Sequence, residues 1–240
     1  MPTPMWREHT PGRTGNDLLD RFPEEDFARL SPSLAVVSLV LRDLLDEADR
    51  PIRDVYFPTT AMISMIVVME DGNEVETGLV GSEGLVGLSV ALGLDSGLQR
   101  SICQSRGDAW RLPAPVFREV LERSRPLNSL IMRYAAVTLR QTAQVVACNA
   151  LHPVAERLCR WLLMSHDRVG RDKFVMTQEF MGEMLGVRRQ SVAVVAGTLQ
   201  AAGLIRYSRG MIEVLDRAGL EAASCECYRL IRVLNERLLP

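Results

Sequence analysis

Lysine is nearly missing from this chain: Lys173 is the only one among 28 basic side chains, and the rest are arginine. Arginine offers a fork of donors suited to phosphate and guanine. A GC-rich genome yields the same bias, so the excess alone carries little weight. Apolar runs of about 18 residues are also lacking, and the opening MPTPMWREHTPGRTGN has no apolar core of the signal-peptide kind. Neither membrane spanning nor secretion is therefore expected, and a cytoplasmic location is.

Complete catalytic motifs are missing as well. The glycine-rich GSEGLVGLSVALG contains neither a G-K-S/T phosphate lysine nor G-x-G-x-x-G. Gly87 to Ala91 only approaches a nucleophile elbow, without its last glycine or a placed histidine. An enzyme is not expected. His9, His152 and His166 lie far apart and form no H-E-x-x-H pattern, and His152 beside Pro153 reads as structural rather than as a haem ligand. The five cysteines, Cys103, Cys148, Cys159, Cys225 and Cys227, are an odd, scattered set that reads as reduced thiols. Cys225 and Cys227 are two apart, a spacing that on a helix points to different faces, so they read as packing or surface thiols and no metal is expected.

What is present is enough apolar material, 47% of residues, for ordinary cores, and an uneven charge. Residues 1–149 carry 15 basic and 20 acidic side chains, net −5; residues 150–240 carry 13 and 10, net +3. The C-terminal part is the better candidate for meeting an anionic partner.

The texture changes along the chain. Residues 1–16, rich in Pro, Gly and Thr, are expected to be mobile. DLLDRFPEEDFARLSPSL then spaces Leu18, Leu19, Phe22, Phe27 and Leu30 helically, with breaks at Pro23 and Pro32. From Ala35 to about Leu112, β-branched runs alternate with Gly, Asp and Asn, and Asp71-Gly72 suits a tight antiparallel turn. A barrel or sandwich of about eight strands is expected. Beyond Pro113, Leu127, Leu130, Ile131, Tyr134, Val137, Gln141, Val145 and Cys148 form a helical stripe over roughly 37 Å. That is more apolar surface than a small barrel covers, so the stripe is expected to lie against a second copy, with Gln141 and Gln144 fixing register; the alternative is a helix covered by its own barrel. A second amphipathic helix follows Pro153, with Leu158, Trp161, Leu162 and Ser165 on one side.

The stretch MTQEFMGEMLGVRRQSVAVVAGTLQAAGLIRYSRGMIEVLD carries the functional signal. Thr177 suits the cap of a short helix from Gln178, with Phe180, Met181, Met184 and Leu185 inward. Gly186 permits a sharp turn. A second helix is expected from about Arg188 to Ala202, with Val192, Val195, Ala196 and Leu199 buried and Gly203 as its stop. Two strands around Arg209-Gly210 then make a wing. Helix, tight turn, helix and hairpin is the winged helix-turn-helix, whose second helix presents its N-terminal residues to the major groove. There Arg189 suits guanine O6 and N7 and Gln190 suits adenine N6 and N7, each worth on the order of 1 to 3 kcal/mol of discrimination. Arg188 suits phosphate, Thr177, Gln178 and Ser191 suit the backbone, and Arg206 and Arg209 suit flanking phosphates. The last helix, YRLIRVLNERLL, is expected to pack Leu230, Val233, Leu234 and Leu238 on this domain, the alternative being an interaction module that uses this stripe to bind another protein.

These features together resemble the cyclic-AMP receptor protein and FNR (Crp/Fnr) family of bacterial transcription regulators, over nearly the whole chain. The resemblance rests on VYFPTTAMISMIVVMEDGNEVETGLVGSEGLVGLSVALG, the long helix, and MTQEFMGEMLGVRRQSV. It implies an α+β chain: a cyclic-nucleotide-binding-like β-roll sensor over residues 17–125, a dimerisation helix over 126–152, and a winged helix-turn-helix over 153–240. It implies a homodimer on a palindromic operator in double-stranded DNA, with RNA polymerase as a further partner. In cyclic-AMP-binding members a glycine is followed by a glutamate for the ribose, then by an Arg-Ser pair for the cyclic phosphate. Gly87 and the pair Arg100-Ser101 are kept here, but Leu88 stands at the glutamate position and cannot accept a hydrogen bond. The sensor is therefore expected to have lost or changed its ligand, and no cofactor is expected; the alternative is a cyclic-nucleotide-responsive regulator of the cyclic-AMP receptor type. Iron-sulfur sensing of the FNR type needs an N-terminal cysteine cluster, and no cysteine precedes Cys103. The reading helix departs too: Arg189-Gln190 followed by Val194 replaces the Arg-Glu pair and later arginine of cyclic-AMP receptor proteins, so a different operator is expected.

Overall fold

The computed structural model describes residues 14–238, with side chains described as far as Leu234. Residues 1–13 of the segment expected to be mobile, with His9, lie outside the described residues, as does the Leu238 side chain. The chain opens with α1 (Asp17–Asp20), α2 (Glu24–Leu30), β1 (Ala35–Leu39), β2 (Leu44–Asp46), β3 (Asp54–Pro58), β4 (Met62–Val68) and β5 (Glu74–Val80). After α3 (Leu88–Ala91) come β6 (Arg100–Ser105), β7 (Gly107–Pro113), α4 (Ala114–Arg123) and α5 (Arg125–Leu151). The rest is α6 (Val154–Val169), β8 (Lys173–Val175), α7 (Gln178–Leu185), α8 (Arg189–Ala201), β9 (Ile205–Ser208), β10 (Met211–Val214), α9 (Arg217–Ala222) and α10 (Cys227–Leu238).

Two compact units divide the chain. The first reaches to Ile63 and resumes from Val80 to Ala136; the second takes Ser64–Leu79 and Val137–Leu238. This differs from boundaries at 17–125, 126–152 and 153–240, because most of the β4–β5 hairpin groups with the C-terminal part and α5 contributes to both units.

In the first unit β7 lies between β1 and β3, antiparallel to both. β2 pairs with β6 across a bulge at Leu44/Asp46. Phe22, Phe57 and Phe117 meet with ring centroids 5.7 to 6.5 Å apart, packing that aromatic quadrupoles favour beyond simple burial. Buried Asn16 accepts from Leu19 N to cap α1 and donates to the carbonyls of Pro58 and Gly84. Among the described residues seven strands lie between Ala35 and Pro113, in line with the eight or so expected, and Leu88–Ala91 forms a short helical turn among them.

The second unit is built on α6, which is buried from Arg157 through His166 on every side rather than along one stripe. The β4–β5 hairpin turns at Gly72, φ +84°, as the Asp71-Gly72 pair predicts. β10 lies between β8 and β9. Arg217 ties the end of α6 to α9 and α10, reaching Asp167 at 2.7 Å, Glu221 at 2.9 Å and the Tyr228 hydroxyl. Among the described side chains of α10, Cys227, Tyr228 and Ile231 are buried while Leu230 is exposed, so the expected stripe of Leu230, Val233 and Leu234 is rotated.

The long helix requires a further correction. Leu127, Leu130, Ile131, Tyr134, Val137, Gln141, Val145 and Cys148 are all buried within the single chain. They are not free to meet a second copy. A different row is open: Met132, Ala136, Leu139, Ala143, Val146 and Ala150, alternating in steps of four and three, with Leu139 73% exposed.

Candidate nucleic-acid interface

The two helices of the C-terminal unit that carry the interface are held by backbone constraints first. Thr177 Oγ1 accepts from Phe180 N at 3.1 Å, which satisfies a donor at the start of α7. Gly186 takes φ +63°, and the chain reverses through Val187 N–H to Gly182 O at 2.9 Å. Gly182 is buried where a Cβ would stand 2.8 Å from Val187 O, so α7 and α8 approach more closely than any side chain allows.

α8 has two distinct faces. Val192, Ala196 and Leu199 are buried, and Val195 is half-buried. Arg188, Arg189 and Gln190 are exposed, with Ser191 half-buried, so the polar residues at the mouth take no part in packing. One turn beyond Gln190, Val194 is 71% exposed. An apolar side chain at that position is not part of the core, and on this face it lies beside the two base-reading candidates.

The wing is tied to the reader. Tyr207 OH accepts from Gln178 N at 3.2 Å, and Tyr207 N donates to Gln200 Oε1 at 2.8 Å. Arg209 and Gly210 take φ +50° and +76°, as a type I′ hairpin turn requires. Asn, Asp or Gly fits the first of these positions at lower cost, so an exposed arginine there is a backbone sacrifice. Arg206, expected on flanking phosphate, donates to Glu213 Oε2 at 2.8 Å across the β9–β10 pair, and its charge is partly answered within the wing.

The residues expected to line a ligand pocket fall in the first unit. Gly87 takes φ +93° and packs so that a Cβ would lie 3.0 Å from Val55 Cγ1; Leu88 opens α3. Arg100 donates to Glu47 with Nε to Oε2 at 2.9 Å and Nη2 to Oε2 at 2.8 Å. Ser101 is fully buried opposite Asp46, whose carboxyl is pushed up to about 6 by burial. The Arg-Ser pair therefore faces two acidic residues.

Sequence reasoning missed one group. Cys225 precedes α10 and Cys227 begins it, so the two thiols are not on opposite faces of one helix; they converge with Cys148 and His152, all four donor atoms within 4.8 Å of one another. No local spacing signals this, since Cys148 and Cys225 are 77 residues apart.

Among the described residues no helix is long and apolar enough to cross a membrane. Residues 156–223 match the Crp-like helix-turn-helix domain family. Among curated proteins none matches this chain. Solved structures with the same fold include FixK2 from Bradyrhizobium japonicum, 15% identical, TM-score 0.69, covering 80% of this chain and 98% of its own. A CRP-family transcriptional regulator from Thermus thermophilus is 18% identical, TM-score 0.66, with 78% and 96% covered. CLP of Xanthomonas campestris, described as a c-di-GMP responsive global regulator, is 15% identical, TM-score 0.64, with 80% and 99% covered.

Proposed function

We propose, for a chain that carries a Crp-like helix-turn-helix domain on the fold of the Crp/Fnr transcription regulators, that it is a DNA-binding regulator and not an enzyme. It reads a palindromic operator as a homodimer in the cytoplasm, and RNA polymerase is its further partner. The observation that carries the reading is the division of α8: one face is buried core, while Arg188, Arg189, Gln190 and Val194 stand free at the end that enters a major groove.

The chemistry assigns roles within that surface. Arg189 takes guanine and Gln190 takes adenine, each through paired hydrogen bonds. Val194 supplies apolar contact for a thymine methyl group, which is how an alkyl side chain discriminates in that groove. Arg188, Arg209, Thr177, Gln178, Ser191 and, less fully, Arg206 answer phosphates and fix the register.

The homodimer reading moves to the open row of α5. Met132, Ala136, Leu139, Ala143, Val146 and Ala150 have the four-three spacing of a coiled-coil seam, and the alanines let two helices approach closely. Two copies joined there place their reading helices on half-sites about one helical turn apart.

The sensor is proposed to have lost the cyclic nucleotide. Leu88 cannot accept from a ribose hydroxyl, and Arg100 is already held by Glu47. Titration calorimetry against cyclic AMP, cyclic GMP and cyclic di-GMP should give no heat; binding of any one overturns this part alone. The regulator reading is tested by selection from random duplexes. It expects enrichment of an inverted repeat and at least a tenfold loss of affinity in Arg189→Ala and Gln190→Ala. No enrichment, or unchanged affinity in both variants, overturns it.

A further inference from the structure

We propose that Cys148, His152, Cys225 and Cys227 form a structural Zn2+ site in the C-terminal unit. Cys148 and His152 are one turn apart at the end of α5, and His152 N still donates to Cys148 O at 3.0 Å, so both side chains share a face. Pro153 then ends the helix. Cys225 and Cys227 arrive from the loop before α10 and from its first residue.

The spacing of the donor atoms is that of one tetrahedral ion. Bond lengths of about 2.3 Å to sulfur and about 2.0–2.1 Å to imidazole nitrogen put tetrahedral ligand atoms about 3.8 Å apart for two sulfurs and about 3.5 Å apart for sulfur and nitrogen. Cys148 Sγ and Cys225 Sγ are 3.5 Å apart, and Cys227 Sγ and His152 Nδ1 are 3.6 Å apart. All four donors fall within 4.8 Å of one another. That enclosure suits a single ion and is too tight for an iron-sulfur cluster, whose bridging sulfides hold the ligands further apart. Three thiolates and one imidazole are a zinc-binding set that leaves no open position, as in structural rather than catalytic sites.

The surroundings are those of a metal site and not of three packed thiols. His152 turns Nδ1 toward the sulfurs and Nε2 toward Glu226 Oε2, at 3.3 Å. A carboxylate on the far ring nitrogen fixes the tautomer of a ligating histidine. Gln144 Nε2 donates to Cys227 Sγ at 3.1 Å, a bond that a thiolate accepts far better than a thiol. Arg157 and Arg160 are both buried beside the cluster, each with a buried Nε that has no hydrogen-bond partner. Two buried guanidinium charges are costly without a compensating negative charge. Three thiolates around a dication carry one, whereas three neutral thiols carry none. Entry is open on the side of His152 and exposed Glu226.

Bound there, the ion joins the end of the dimer-facing helix to the start of α10 within the unit that carries the reader. Loading releases protons, since each sulfur must bind as thiolate.

The test uses the full chain, purified without a histidine tag or chelator. Elemental analysis and native mass measurement should find about one zinc per chain, and zinc-free protein should take up one Co2+ with the visible bands of a tetrahedral thiolate site. All five thiols are buried, so the readout is the change on chelation: removing the metal should make three of them reactive to a thiol reagent and leave the other two protected. Cys227→Ser and His152→Ala should lose the metal, while Cys103→Ser and Cys159→Ser, which alter buried thiols outside the cluster, should keep it. A wild-type chain with no zinc that takes up neither Zn2+ nor Co2+ overturns the proposal. So does iron with acid-labile sulfide, or a Cys148–Cys225 disulfide in the freshly purified protein, seen as a mass lower by two hydrogens. If a ligand variant does not fold, the metal dependence of thiol protection in the wild type still decides, and protection unchanged by chelation overturns the proposal.

Discussion

Glu76 Oε1 accepts a 2.8 Å hydrogen bond from Trp161 Nε1, and both side chains are buried in the C-terminal unit. The other carboxylate oxygen, Oε2, is buried without a hydrogen-bond partner. Burial dominates, and it pushes the Glu76 carboxyl from 4.5 up to about 7, against the pull of Ser64 and Trp161. A carboxyl that holds its proton more tightly when folded favours the native state in acid. Its contribution is complete below the unfolded value and is lost as pH rises through about 7, a swing on the order of 3 kcal/mol. Urea unfolding of wild type and Glu76→Gln should therefore agree near pH 5 and diverge by pH 8, where the glutamine variant is the more stable. A difference that does not change with pH would refute this.

Two glycines of the reader unit make opposite predictions. Gly182→Ala forces a methyl against the backbone of Val187 and Arg189, atoms that cannot move without opening the turn. A loss of about 1 to 3 kcal/mol is expected, together with weakened DNA binding. Gly197 has nothing within 4 Å of an added Cβ and sits inside α8. Gly197→Ala should stabilise the chain by about 0.5 to 1 kcal/mol. Chemical unfolding of both variants checks the pair.

The seam on α5 predicts the assembly state. Leu139→Glu places like charges opposite one another across a symmetric contact and should shift a dimer to monomer in sedimentation velocity. Arg140→Glu, one residue on and outside the four-three row, should leave it dimeric. A dimer that survives Leu139→Glu argues for another face.

The wing arginines should differ. Arg209 is exposed at the turn, so Arg209→Ala should lower the salt slope of operator binding by about 1. Arg206→Ala should lower it by less, because Glu213 already holds that guanidinium. Glu213→Gln should raise affinity, most clearly at low ionic strength. Binding measured from low to high salt gives all three slopes.

The reader was legible in the sequence because its determinants are local. Thr177, Gly186 and the apolar period of α8 act within a few residues of one another, and α7 and α8 fall within a residue of where those signals put them. The long helix was legible in extent but not in orientation. Periodicity says which residues share a face, and α5 has two apolar faces; the bulkier one, from Leu127 to Cys148, is covered by the chain itself, leaving the alanine-rich row outside. β8 escaped notice because three residues carry no period. The thiol group escaped because its members meet only after folding, and because Cys225 stands before the helix that was assumed to hold it.

The clasp between Glu47 and Arg100 occupies the guanidinium that a free anion entering this unit would need. The carboxylate is held in place by the fold, so it competes for the guanidinium without the entropy that a free anion gives up on binding. A free anion must exceed that standing occupancy before it can displace the clasp. A ligand of this domain, if it has one, either binds outside the clasp or is an anion held strongly enough to displace Glu47 from Arg100.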